Sequence, residues 1–188
     1  MPQVNTLTKK NNKSEITEML KLLNGISSDK IENDSNLITT KILSSQEYQK
    51  SDCIAVYLNG PNEFSTESII CDIFIRGKKC YVPCRIGESM EMVKLESLED
   101  YRSIGPNNLD ELGFLKQNKQ NREIAYLIHL RYLNGSSYDV YLMKCRQWAK
   151  PPLAMAPAFD IQILIDNELP VNEYNQNPDI ILTPTQIR

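Results

Sequence analysis

The chain has 188 residues, of which 41% are hydrophobic and 24% charged, a composition typical of a globular domain with a sizeable core. Its net charge of −3 argues against a nucleic-acid binder that relies on overall positive charge, and no apolar run reaches the ~18 residues that a membrane span requires. Residues 1–13 contain neither an apolar signal-peptide core nor an arginine, which predicts a cytoplasmic protein.

Thiol and imidazole groups restrict the possible chemistry further. The five cysteines include no C-x-x-C pair, which predicts reduced thiols and no zinc site. The single histidine, His129, excludes a multi-histidine metal centre and leaves at most one imidazole for catalysis.

The N-terminal half predicts a short flexible segment followed by alternating helices and strands. Residues 1–11 form the flexible segment, and one domain spans residues 12–188. Ser27 or Ser28 is expected to cap a helix that ends near Glu47. Its inward-facing residues are predicted to be Ile31, Leu37, Ile38, Ile42 and Leu43.

A β–α–β unit follows this helix. CIAVYL (53–58) has the pattern of a buried strand, Thr66 is placed to cap a helix, and Gly77 is placed to end it. KKCYVPC (78–84) predicts the next strand, which should run parallel to the first because a helix connects them. A further strand is predicted at MVKLES (92–97).

The C-terminal half begins with an atypical segment, residues 105–136, that includes a polar loop over 105–122. Strands are predicted at 123–130, 152–159 and 179–184, and a helix at 136–148. The alternation predicts a single three-layer α/β domain with a mainly parallel, Rossmann-like central sheet. Ligands bind such sheets at the carboxyl ends of strands, here in the loops after Leu58, Pro83 and Leu130.

Several short motifs occur in order between Ser45 and Ser97. EYQKS precedes the first strand and E-x-x-T follows it; D-I-F-x-R-G-K, a V-P strand end and M-x-M-V come next. With YDVYLMKC and LAMAPAF further on, this block resembles the animal 5-formyltetrahydrofolate cyclo-ligases, also called methenyltetrahydrofolate synthetases.

The resemblance implies a monomeric ligase of one-carbon folate metabolism, without nucleic-acid or membrane partners. It implies that the enzyme uses ATP and Mg²⁺ to close 5-formyltetrahydrofolate to 5,10-methenyltetrahydrofolate. The implied folate-binding residues are Glu63, Tyr57, Leu58, Met90 and Tyr138, with Glu63 bonded to the pterin ring. The implied ATP-binding residues are Lys9, Lys10 and Lys13, and Asp139 is the implied Mg²⁺ ligand. No catalytic residue follows from the resemblance.

Apart from Tyr138, each of these residues also has a structural interpretation. Glu63 and the three lysines would be solvated, Tyr57 and Leu58 would be strand core, and Met90 would fill a gap. Asp139 would complement a helix dipole.

The stretch 122–139 departs from the family, which carries an Arg-x-Gly-x-Gly-x-Gly phosphate loop there. Only Gly135 occurs in this stretch, and no two glycines of the chain stand in G-x-G spacing. Three hypotheses stay open: a working cyclo-ligase with another phosphate loop, a folate-binding remnant or splice variant without catalysis, and an interaction domain in which the pocket has no role.

Overall fold

The computed structural model describes residues 21–60, 63–87, 89–109, 114–116, 124–125, 140–143, 153–163 and 178–188. The predicted flexible segment, residues 1–11, lies outside these ranges.

The first long helix begins where the sequence predicts and ends slightly earlier. Helix α1 spans Ser28–Ser44, and the Ser27 side chain accepts the Lys30 N–H at its start. Ser45 then adopts an extended conformation and caps a separate short helix, α2 (Gln46–Lys50). The predicted continuous helix to Glu47 is therefore two helices divided at Ser45.

One residue of α1 was assigned to the wrong face. Leu37 is 52% exposed, whereas Ile38 and Ile42 are fully buried. The buried stripe follows the i, i+3, i+4, i+7 spacing from Ser35 through Ile38 to Ile42, and Leu37 falls outside it.

The β–α–β unit is confirmed. Strand β1 (Cys53–Ala55) pairs in parallel with β2 (Lys79–Ile86), and helix α3 (Glu67–Ile75) connects them. Gly77 follows the helix with φ of +66°, a left-handed conformation that glycine adopts without strain.

In the described part of the chain, seven strands form one sheet in the order β4-β3-β2-β1-β5-β6-β7. The remaining strands are β3 (Ser89–Leu95), β4 (Ile124–Ala125), β5 (Val140–Met143), β6 (Leu153–Pro157) and β7 (Ile180–Leu182). Strands β6 and β7 confirm two predicted strands, and β4 confirms part of a third, whose other residues lie outside the described ranges. A short helix, α4 (Leu98–Arg102), follows β3.

The α/β domain is confirmed, but the prediction of a mainly parallel sheet is wrong. Within the described chain, β1–β2 and β6–β7 are parallel, and the other four pairings are antiparallel. The close connection of β2 to β3 at Gly87, where φ is +62°, leaves no room for the crossover that a parallel pair needs.

The predicted helix at 136–148 is also wrong where the structure describes it. Val140–Met143 is strand β5, which pairs antiparallel with β1 on one side and β6 on the other. Val140 and Tyr141 favour extended backbone, and the two flanking strands satisfy backbone groups on both edges. Helical spacing of apolar residues was therefore a misleading signal here.

The prediction of reduced thiols holds at three positions and fails at a fourth. Cys71, Cys80 and Cys84 form no disulfide, whereas Cys53 is disulfide-bonded. Burial raises the pKa of the Cys80 thiol to about 12, so this buried thiol stays protonated and unreactive near neutral pH.

A polar cluster joins α2 to α3. The Tyr48 ring is fully buried, and its hydroxyl donates a hydrogen bond of 2.6 Å to Asp72 Oδ2. Arg76 Nε donates to the same oxygen at 2.6 Å. Lys78 Nζ donates to three backbone carbonyls at the C-terminus of α2, which favours a cation. The three carbonyls belong to Tyr48, Gln49 and Ser51.

Hydrogen bonds from one lysine of α1 hold the C-terminal segment, residues 180–188. Lys41 Nζ donates to the carbonyls of Thr183 at 2.6 Å and Pro184 at 2.8 Å. The segment turns back on itself, because Ile181 and Arg188 exchange backbone hydrogen bonds of 2.7 and 2.9 Å. Lys41 therefore links α1 to the last described residues of the chain.

We expect Lys41→Met to lower the free energy of unfolding by about 1 kcal/mol, because water replaces only part of the lost charged hydrogen bonds. The same variant should make the C-terminal segment more sensitive to limited proteolysis. Lys50→Met is the matched control, since Lys50 bonds only an exposed side chain one helical turn away. Equal losses in the two variants would contradict this role of Lys41.

Candidate functional site

A cleft of about 440 Å³ opens at the carboxyl end of β1. It lies between α1, the loop 59–66 and the first turn of α3, at the first of the three loops that the sequence indicated. The lining residues from α1 are Ser28, Ile31, Glu32, Ser35, Asn36 and Thr39; those from the loop and α3 are Asn59, Gly60, Glu63, Ser65, Glu67 and Ser68.

Glu63 is the sequence-predicted site residue that lines this cleft. Its side chain is half-buried, and Oε2 accepts the Gly60 N–H at 2.7 Å. A Cβ at position 60 would lie 3.4 Å from that oxygen, in ordinary van der Waals contact. This bond holds the carboxylate against its own loop, and a carboxylate can accept several donors at once.

The base of the loop is fixed by Thr66, although not in the predicted way. Thr66 precedes α3 but makes no side-chain capping bond. Its fully buried hydroxyl donates instead to the Tyr57 carbonyl at 2.9 Å. Its backbone N–H donates to Asn59 Oδ1 at 3.1 Å, which closes the loop on itself. Thr66 therefore occupies the predicted N-cap position, but its hydroxyl bonds the strand end instead of capping the helix.

The loop is also tied to α1. The Ser65 N–H donates to Ser35 Oγ at 3.1 Å, and Ser35 is only 3% exposed. Buried hydrogen bonds of this kind resist rearrangement, since breaking one leaves a polar group without water. The carboxylate of Glu63 thus sits on a loop whose two ends, Asn59 and Thr66, are bonded to each other and whose Ser65 is bonded to α1.

Tyr57 and Leu58 are core residues beneath the loop. They are 6% and 5% exposed, and the Tyr57 hydroxyl donates to the Phe64 carbonyl at 3.3 Å. Neither residue lines the cleft. The structure gives both a packing role, and a folate contact by either stays a prediction.

The other predicted site residues are not described in full. Met90 lies on β3, opposite Arg85 of β2, and its side chain is outside the described part. The remaining predicted residues, Lys9, Lys10, Lys13, Tyr138 and Asp139, fall outside the described ranges.

Sequence reasoning missed the polar face that α1 presents to the cleft. Ser28, Glu32, Ser35 and Thr39 recur at spacings of three or four, so they lie on one side of the helix. A polar stripe that runs along a helix beside an apolar stripe is the sequence signal that could have identified this polar face.

Three carboxylates make the cleft acidic. Glu32, Glu63 and Glu67 line it, and no lysine or arginine of the described chain does. Such a surface favours a ligand that presents N–H donors and disfavours phosphate groups. The described residues contain no group of three or more acidic, histidine or cysteine side chains arranged to hold a metal ion.

Comparisons with known proteins agree with this architecture. The profile of the 5-formyltetrahydrofolate cyclo-ligase family matches residues 8–126. The chain is 30% identical to the 5-formyltetrahydrofolate cyclo-ligase of Mus musculus over 194 aligned positions, covering 88% of this chain and 89% of the mouse protein.

A solved structure shows the same fold. The NMR structure of Aquifex aeolicus 5,10-methenyltetrahydrofolate synthetase superimposes with a TM-score of 0.58 at 13% identity, covering 97% of this chain and 92% of that one. In the described part of this chain, no helix combines the length and apolar character needed to cross a bilayer. The family profile ends at residue 126, so Tyr138 and Asp139 lie beyond it.

Proposed function

Because the chain belongs to the 5-formyltetrahydrofolate cyclo-ligase family, whose members are ATP-dependent ligases that form 5,10-methenyltetrahydrofolate, we propose that it binds 5-formyltetrahydrofolate in the cleft around Glu63. The single observation that carries this placement is the Glu63 carboxylate, held by the Gly60 N–H at the carboxyl end of β1.

The pterin ring is the part of the substrate that suits this cleft. Its edge presents neighbouring N–H groups, and a carboxylate can accept two of them in a charge-assisted pair. Glu32 and Glu67 add negative potential to the same lining. The anionic glutamate tail and the ATP triphosphate would be repelled there, so both should lie outside the described cleft.

The nucleotide side of the site rests on residues outside the described ranges. Lys9, Lys10 and Lys13 are the proposed phosphate ligands, because ammonium groups attract phosphate oxygens. Mg²⁺ binding rests on Asp139 alone, since the described residues supply no metal-binding cluster. When bound, Mg²⁺ would neutralise phosphate charge. A cytoplasmic monomer is proposed, in keeping with family membership.

A second candidate function is folate binding without catalysis. The observation that favours it is the absence of any G-x-G spacing among the seven glycines, while hydrogen bonds from Gly60, Ser65 and Thr66 hold the described part of the Glu63 loop in place. Where the family loop has glycines, this chain has larger residues, whose side chains would keep a phosphate away from backbone N–H groups.

One pair of measurements separates these functions. Purified protein is mixed with 5-formyltetrahydrofolate, ATP and Mg²⁺, and the near-ultraviolet absorbance of 5,10-methenyltetrahydrofolate is followed. Calorimetry with 5-formyltetrahydrofolate alone measures binding. Product formation is the expected result for the ligase, and saturable binding without product would support the remnant. A folded sample that shows neither binding nor product would contradict both.

A further inference from the structure

The orientation of the Asn59 amide is fixed by its partners. Asn59 Oδ1 accepts the Thr66 N–H at 3.1 Å, and Thr66 Oγ1 lies 3.1 Å from the same oxygen. Because a backbone N–H can only donate, the side-chain atom that faces it must be the oxygen. The NH₂ group is therefore the other end of the amide.

That NH₂ group is the end left for the cleft. Thr66 is fully buried, whereas Asn59 is half-buried and lines the cleft. Within the described part of the chain, Asn59 Nδ2 has no acceptor. Two N–H donors are thus held in a fixed direction at the rim of the proposed substrate site.

Asn59 and Glu63 together form a complementary pair of groups on one loop. Asn59 offers a donor, and Glu63, four residues later, offers an acceptor whose position is set by the Gly60 N–H. A ligand that fits both has an N–H group next to a carbonyl oxygen, which is the amide-like edge of a pterin ring.

We propose that Asn59 is a specificity-determining residue that donates a hydrogen bond from Nδ2 to a carbonyl oxygen of the substrate's pterin ring. This inference rests on the proposed folate site. Selection follows because a ring with an amino group in place of that carbonyl would bring donor against donor and leave the Asn59 NH₂ group without an acceptor.

Asn59→Asp tests the contact. Aspartate keeps an oxygen for Thr66, so the loop should retain its shape, but it replaces the two N–H donors by a second oxygen. The dissociation constant for 5-formyltetrahydrofolate, measured by calorimetry, should rise about tenfold or more. Asn36→Asp is the matched control, because it adds the same charge to the same cleft from an exposed position on α1. We expect it to weaken binding at most about twofold, since an exposed charge is well screened.

A second measurement uses the wild-type protein and does not depend on how the variants fold. The Asn59 side-chain NH₂ resonances of ¹⁵N-labelled protein should shift when 5-formyltetrahydrofolate is added. Unshifted resonances at saturation, or equal weakening by the two aspartate variants, would overturn the Asn59 contact and leave the folate site intact. Absence of binding to the wild type would instead remove the folate site, and the Asn59 contact with it.

Discussion

Glu63→Gln is expected to weaken 5-formyltetrahydrofolate binding about 10- to 100-fold, the effect of losing a charge-assisted hydrogen bond to a neutral N–H edge. Glutamine keeps one oxygen, which can still accept the Gly60 N–H that now bonds Oε2. The loop should therefore hold its conformation while the cleft loses one negative charge and one acceptor. Calorimetry on the two proteins gives the ratio of dissociation constants directly.

Glu32→Gln is the control for this experiment. Glu32 lines the same cleft from α1 and is exposed, so the variant removes an equal charge without touching the loop. A small effect of Glu32→Gln beside a large one of Glu63→Gln identifies a direct contact. Equal effects would show that only the overall acidity of the cleft matters, which contradicts the role proposed for Glu63.

Asp72→Ala is expected to lower the free energy of unfolding by about 2–3 kcal/mol, mainly because it leaves the buried Tyr48 hydroxyl without its acceptor. Burial, followed by the hydrogen bond to Asp72, raises the pKa of Tyr48 well above its usual range, so the hydroxyl stays a donor at all ordinary pH values. The Arg76 pair adds little, because the Arg76 side chain is 40% exposed and solvent screens it.

Asp52→Ala is the matched control for Asp72→Ala. Asp52 is exposed, and its side chain has no hydrogen-bond partner within the described ranges. Urea denaturation of both variants should show a lowered midpoint for Asp72→Ala only. A midpoint equal to that of wild type in both would mean that the Tyr48–Asp72 bond contributes no net stability.

Glu63→Gln and Asp72→Ala test different parts of the family motif. EYQKS and D-I-F-x-R-G-K were identified from sequence as one signature, and the structure brings Tyr48, Asp72, Arg76 and Lys78 together between α2 and α3. None of the four lines the cleft. The signature therefore marks the fold, whereas Glu63, from the short E-x-x-T element, lies in the proposed site.

Local signals gave the correct boundary at Ser27 and at Gly77, where the controlling group is near in sequence. Ser27 starts α1 because its oxygen reaches an N–H three residues later, and Gly77 ends the turn after α3 because it adopts positive φ at no cost. The β1–α3–β2 unit followed from the same kind of reasoning, since a helical connection returns the chain in parallel.

Non-local contacts explain the errors at β5, in the direction of the sheet's strands and at the Thr66 hydroxyl. Whether Val140–Met143 forms a helix or a strand depends on β1 and β6, which lie far away in the chain, and the same pairings decide how much of the sheet is parallel. Thr66 was expected to cap α3, but its hydroxyl reaches the Tyr57 carbonyl across the loop. Helical or capping patterns carry no information about such distant partners.

The sequence by itself determined the family, the first β–α–β unit and Glu63 as the leading candidate for the pterin-binding carboxylate. Only the tertiary structure revealed that the polar face of α1 lines the cleft and that the Asn59 amide has a fixed orientation. Both depend on contacts that form when the chain folds. The sequence specifies which functional groups a side chain carries, whereas the hydrogen bonds formed on folding set the orientation of that side chain.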